Sequence, residues 1–102
     1  MTPLTARTQR LVRMIFPQSS SEVETLLAKE CGQNLPFCEN STPESLERIR
    51  FAVLKLSNGD LTKFEEAFNF AKRDWRDVLV WAGFGNDLDA HKKWADQLLA
   101  DR

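Results

Sequence analysis

Apolar residues recur at helical spacing along most of the chain, and turn-forming residues separate the stretches. The pattern predicts helices over Pro3–Phe16, from Ser21 to about Cys31, from Pro43 to about Leu56, from Asp60 to about Lys72, over Asp74–Gly83, and from Asn86 to about Ala100. No segment shows the alternation typical of a strand. We therefore expect an all-α fold: a single compact bundle of five to six short helices over residues 1–102, with about 60–75% helix, well above the usual share.

Local signals support these helix starts. Ser21 and Glu24 have the spacing of a capping box. Thr42 precedes a proline that suits the first helical position. Asp60 and Asn86 are residue types favoured at N-caps. Residues 1–17 are expected to form a basic amphipathic helix packed on, or flanking, the rest of the domain.

The segment Asp74–Gly83 reads D-W-R-D-V-L-V-W-A-G and is apolar on nearly every side. Asp74 suits an N-cap, and Gly83 suits the left-handed position after a helix. One face carries Trp75, Val78, Leu79 and Ala82, whereas Val80 and Trp81 fall outside that face. Because helices that are apolar all round are usually buried, we predict that this segment is the central helix of the bundle.

The apolar residues that share one face of each predicted helix form a stripe, and these stripes predict the core. The residues expected to be buried are Leu46, Ile49, Val53, Phe64, Phe68, Trp75, Val78, Leu79 and Leu98. Leu88 is also expected to face inward. The predicted loop 33–41 should contact the core through Leu35 and Phe37.

Composition and charge restrict the function classes. The net charge of −1 provides no global attraction to nucleic acid or to an anionic membrane. No apolar run approaches the roughly 20 residues that span a bilayer. The Arg-rich start, with no acid before Glu22, loosely resembles a mitochondrial transit peptide. Cys31 and Cys38 are expected to be free thiols, since no export signal indicates an oxidising compartment. We favour a cytoplasmic location.

The second half of the chain resembles a group of small bacterial proteins of about this length with no known activity. The likeness rests on L-S-N-G-D-L, A-K-R-D-W-R-D-V-L-V-W-A-G-F and D-A-H-K-K-W, between Leu56 and Trp94. It implies a bacterial cytoplasmic origin and assigns no functional residue. Trp81 departs from the pattern, which has a smaller residue there.

The residues do not indicate an enzyme. His91 is the only histidine, and it falls on an apolar stripe, where a core-edge histidine bonded to a backbone carbonyl is expected. No serine or cysteine has a histidine placed by a local catalytic motif, and no glycine-rich phosphate loop occurs. We predict no catalytic residue, no cofactor and no metal site. A convergence of carboxylates in space, or a small-ligand site, stays open as a less favoured interpretation.

Two basic clusters support nucleic-acid binding as an alternative function. Arg7, Arg10 and Arg13 form a strip on the first helix. A second cluster, Lys72, Arg73 and Arg76, lies beside Trp75, an arrangement that can bind a phosphate and stack a base. Asp74 and Asp77 can form ion pairs with the second cluster and so reduce its net positive charge. The arginine strip could instead pack on an acidic surface of the same chain.

Our leading hypothesis is a non-enzymatic protein-interaction module, either an adaptor or a self-associating protein. Three apolar residues lie outside the main apolar stripe of their predicted helices, and a fourth directly follows the Asp74–Gly83 helix. The four residues are Phe70, Val80, Trp81 and Phe84. Aromatic residues near arginine are enriched in interface cores. The competing interpretation is that a six-helix bundle buries them. The partner is expected to be an unidentified protein or a second copy of the chain.

Overall fold

The computed structural model describes residues 2–100, and five helices account for 69% of these residues. They are α1 (Ala6–Ile15), α2 (Ser20–Glu30), α3 (Pro43–Ser57), α4 (Leu61–Trp81) and α5 (Ala90–Ala100). No strand occurs within the described part, and the helices pack into a compact globule. The predicted all-α bundle is confirmed.

The first two helices begin in different ways. The Thr5 hydroxyl caps α1 by accepting a hydrogen bond from the Thr8 amide at 3.2 Å. The predicted capping box of α2 is wrong: the N-cap is Ser19, whose side chain makes no capping bond. Because α2 begins at Ser20, Ser21 already lies inside the first turn and cannot act as the cap.

Helix α3 is the central helix of the fold. Thr42 and Ser45 form a reciprocal capping box at its start, with N···O distances of 3.2 and 2.9 Å. It contacts α1, α4 and α5, and buries eight of its fifteen residues. The prediction that Asp74–Gly83 is the central helix is therefore wrong: that segment exposes Val80 and Trp81, because neighbours cover it on one side only.

Helix α4 is bent where the sequence predicts a helix boundary. The Asp60 carboxylate caps its start by accepting from the amides of Thr62 and Lys63. Asp74 has extended backbone angles, φ −157° and ψ 97°, which divide α4 into segments 61–73 and 75–81. The Asp74 carboxylate then accepts from the Arg76 amide at 3.1 Å, as an N-cap does. Gly83 follows in the left-handed region at φ 82°.

Helix α5 begins later than the sequence predicts. Asn86 is not its N-cap, since the helix starts only at Ala90, and the Asp87 carboxylate accepts from the Asp89 amide in the preceding turn. Leu88 therefore lies in the connection rather than on a helix face. It is 73% exposed, so its predicted burial is wrong.

Seven of the nine residues predicted to be core are buried, and Trp75 and Leu98 pack half-buried against them. In the α2–α3 loop, Leu35 is buried as predicted, but Phe37 is 85% exposed. Phe37 occupies a left-handed turn position at φ 64°, where the chain reverses and the side chain leaves the core.

A buried arginine joins three parts of the chain. Arg50 of α3 is completely buried and donates hydrogen bonds, each of 2.8 Å, to the carbonyl oxygens of Cys31, Pro3 and Thr2. It thereby holds the end of α2 and the segment before α1 against α3. A buried charge is tolerated only when it is hydrogen-bonded, and three carbonyls from two other parts of the chain provide these bonds here.

Replacing Arg50 should be far more destabilising than replacing a surface arginine. Arg50→Met leaves three carbonyls without their charged donor, and we expect a loss of about 3–5 kcal/mol in the free energy of unfolding. Arg10→Met, at an exposed position of α1, should cost about 0.5 kcal/mol or less. Denaturant unfolding measures both, and equal losses in the two variants would contradict the structural role of Arg50.

Candidate interaction surface

Two exposed aromatic rings pack against each other on α4. The Phe70 and Trp81 rings meet edge to face, with centroids 5.2 Å apart and an interplanar angle of 84°. Phe70 is 42% exposed and Trp81 is 54% exposed. The structure therefore brings together two of the four residues that the sequence singled out, and leaves both at the surface.

The bend at Asp74 creates this pair. Trp81 lies eleven positions after Phe70 in the chain, which corresponds to a distance of about 16 Å along a straight helix. Their rings touch because the extended backbone at Asp74 turns segment 75–81 back toward segment 61–73. The sequence gives a hint of the pair, since residues eleven apart point in nearly the same direction on a helix.

Polar residues of the same helix surround Phe70. The Arg73 guanidinium lies over the Phe70 ring, 5.6 Å from its centroid. Glu66, Asn69, Phe70 and Arg73 line a shallow cavity of about 230 Å³. Sequence reasoning missed Glu66 and Asn69. The spacing of four residues between Glu66 and Phe70 is a signal that places helical residues side by side, whereas Asn69 directly precedes Phe70 in the chain and has no such signal.

Val80 and Phe84 differ in exposure to solvent: Val80 is exposed and Phe84 is buried. Val80 is 64% exposed, and Gly85 packs so closely beside it that a Cβ there would lie 3.1 Å from Val80 Cγ2. Phe84 is only 1% exposed, so its predicted place in the interaction surface is wrong. The left-handed turn at Gly83 reverses the chain and returns Phe84 to the core, where its ring contacts His91.

Carboxylates of the same chain meet two of the three arginines in the α1 strip. Arg7 forms an ion pair with Asp96 of α5, and Arg13 lies 3.7 Å from Glu24 of α2. Arg10 is exposed on α1 and shares a shallow cavity with Arg13. The strip is thus partly neutralised by the helices that pack around α1.

The second basic cluster is also partly paired. Lys72 forms a 2.8 Å ion pair with Glu30 of α2, and Arg76 pairs with Asp74 at 3.0 Å. Lys72 and Arg76, two of the three cations in this cluster, are therefore paired with carboxylates of the same chain. The third, Arg73, lies against Phe70, so it belongs to the aromatic surface rather than to a continuous basic patch.

The single histidine is part of the core. His91 is 5% exposed, and its ring contacts those of Phe51 and Phe84. Its Nδ1 has no hydrogen-bond partner among the described residues, so the expected bond to a backbone carbonyl is not found at this atom. Burial lowers the pKa of His91, and the positive charge of Lys92 lowers it further.

Stability should therefore fall on mild acidification. The unfolded His91 has an ordinary pKa of 6.5 and the folded one a lower value, so the unfolded chain binds more protons between the two. We expect the free energy of unfolding to decrease as the pH falls below about 6.5. His91→Leu should remove this dependence; an unchanged pH profile in His91→Leu would assign it to other groups.

Both cysteines are free thiols, as predicted, and the structure shows that both are buried. Burial raises the pKa of Cys31 to about 12 and also raises the pKa of Cys38. Because thiolates are the reactive form, neither residue is suited to act as a nucleophile in the folded protein.

Alkylation should report this burial directly. Without reductant, we expect two labels per chain in denaturant, and slow labelling of the native protein that follows unfolding. Mass spectrometry measures both the number of labels in denaturant and the rate of labelling of the native protein. Absence of label in denaturant would indicate a disulfide, and fast native labelling would contradict the burial of the thiols.

The described helices do not combine the length and apolar character that crossing a bilayer requires. Over residues 2–100, no three histidine, cysteine, aspartate or glutamate side chains are grouped so that they could hold a metal ion. Comparison of the chain with protein-family models, curated proteins and solved structures finds no match.

Proposed function

We propose that this protein is a non-enzymatic interaction module whose contact surface is Phe70, Trp81 and the neighbouring Val80. The observation that carries the proposal is the exposed edge-to-face pair of Phe70 and Trp81, with a guanidinium resting on the Phe70 ring. Aromatic and arginine side chains are the types enriched at the centres of protein interfaces. The resemblance of the C-terminal half and the free thiols support a bacterial cytoplasm as its setting.

The apolar area available is enough to contribute substantially to binding. The exposed parts of Phe70 and Trp81 together amount to roughly 200 Å² of mainly apolar surface, worth about 5 kcal/mol when buried, before the costs of association. The rings are also held by each other. Binding therefore immobilises fewer free rotamers than two isolated aromatic side chains would require.

Nucleic-acid binding through Arg7, Arg10 and Arg13 is the alternative. It has less support, because Arg7 and Arg13 already face carboxylates of neighbouring helices. Such binding would weaken steeply with salt, whereas binding through the aromatic surface would depend on salt only weakly. This difference separates the two functions in one titration.

Charge substitutions at the aromatic surface should abolish binding while keeping the fold. We expect Phe70→Glu and Trp81→Glu to lower the free energy of unfolding by about 1–2 kcal/mol, since each side chain is only partly buried and one aromatic contact is lost. Immobilised wild type should retain protein partners, including free copies of the chain, that both variants lose. Quantitative mass spectrometry of the retained proteins measures this.

The matched control is Phe37→Glu, which charges another exposed aromatic residue, on the α2–α3 loop. It should retain the same proteins as wild type. Identical retention by wild type, Phe70→Glu and Trp81→Glu would overturn the proposed function. Unfolding of both variants would do the same, because it would show that the two rings are essential core.

A further inference from the structure

The outer face of the first α4 segment is exposed, and within the described chain the Trp81 ring packs against one of its residues, Phe70. Its residues are all exposed and lie within about 60° of one direction at 100° per residue; they are Thr62, Lys63, Glu66, Asn69, Phe70 and Arg73. The opposite face, which carries Phe64 and Phe68, packs on the core. The free face is therefore a regular helical surface with one aromatic ring near its middle.

Two of the three charges on this face, those of Glu66 and Arg73, are arranged symmetrically about its middle. Glu66 and Arg73 lie seven residues apart, at equal distances from the midpoint between Asn69 and Phe70. Neither makes an ion pair with another side chain in residues 2–100. An acid and a base at mirrored positions are what a helix needs to pair with an antiparallel copy of itself.

We propose that a second copy of this chain occupies the face, packed antiparallel about a two-fold axis that passes between Asn69 and Phe70. This inference rests on the proposed function and names its partner. Glu66 of each copy then faces Arg73 of the other, and the Phe70 rings meet near the axis. A two-fold interface uses the same patch twice, so one acid and one base produce two ion pairs.

The direction of packing follows from the charges. A parallel pair would set Glu66 against Glu66 and Arg73 against Arg73, and like charges across an interface are unfavourable. An antiparallel pair replaces both repulsions with attractions. Lys63 would face position 76, but Arg76 lies beyond the bend and is already paired with Asp74, so it does not enter the straight contact.

The bend at Asp74 enlarges this contact. It places the Trp81 ring beside Phe70, at the centre of the face, instead of one helix length away. Each copy therefore contributes two aromatic rings to the region of the axis. Asn69 lies there too, and its amide group, both donor and acceptor, can pair with the same group of a second copy.

Charge reversal and mixing test the arrangement. Sedimentation measures the dissociation constant of the full-length chain, and wild type should form a dimer. Glu66→Arg and Arg73→Glu should each weaken self-association by about tenfold or more, because each creates two like-charge contacts. A mixture of the two variants should restore the dimer, since one chain then carries a base at both positions and the other an acid at both, so every facing pair is attractive.

The control is Glu65→Arg, which makes the same charge change at an exposed neighbour that lies off this face. It should dimerise as wild type does, and melting of every variant should show an intact fold. If the mixture stays monomeric, the antiparallel pairing is wrong even where wild type dimerises. If wild type is monomeric throughout, the second copy is not the partner.

The two proposals fail in different ways. A monomeric wild type that still retains another protein through Phe70 and Trp81 overturns only the second-copy inference. A monomeric wild type with no such retention overturns the interaction module as well. Dimerisation that Phe70→Glu leaves intact places the dimer interface elsewhere and contradicts the second-copy inference; the interaction module is then overturned as well if no other protein is retained through Phe70 and Trp81.

Discussion

The structure depends on cations of α3 that bind backbone carbonyls. Arg50 is buried without a carboxylate, and its three carbonyl partners join the start of the chain and the end of α2 to the central helix. At the other side of α3, Lys55 donates to the Ala82 carbonyl at 2.7 Å, and Arg48 donates to the Phe84 carbonyl. Cations at a helix C-terminus also interact favourably with its dipole.

These contacts link the core to the aromatic surface. Lys55 and Arg48 hold the chain around Gly83, and Lys55 also lies 5.1 Å from the centroid of the Phe84 ring. The turn that buries Phe84 is therefore the same turn that ends the helical segment carrying Trp81. Together with the bend at Asp74, it sets where Trp81 stands relative to Phe70.

The titratable groups inside the fold have structural roles. His91 and Cys31 are both buried. Burial lowers the pKa of His91 and raises the pKa of Cys31, so it favours the neutral form of each group. A buried neutral imidazole packed between rings contributes contacts, and a thiol with a raised pKa is unreactive. What distinguishes the surface is instead a pair of apolar rings in water, where burial against a partner is favourable.

Local chemistry in the sequence determined most helix ends, because caps act over a few residues. Thr42, Asp60 and Gly83 were identified this way, and the break at Asp74 appeared as a boundary between two helices. The prediction at Ser21 was wrong although its spacing to Glu24 fits a capping box, because Ser19 and Glu22 have the same spacing and the helix begins directly after Ser19.

The sequence also determined that Phe70, Val80 and Trp81 do not fit the main stripes, since periodicity shows which residues share a face. The sequence did not determine which of these apolar residues are exposed to solvent. Phe84 could not be distinguished from them by sequence, and it is buried because the turn at Gly83 directs it to the core. Arg50 was invisible for the same reason, because its partners lie 19 to 48 residues away. Only the tertiary structure decides such contacts, since they depend on how distant segments meet.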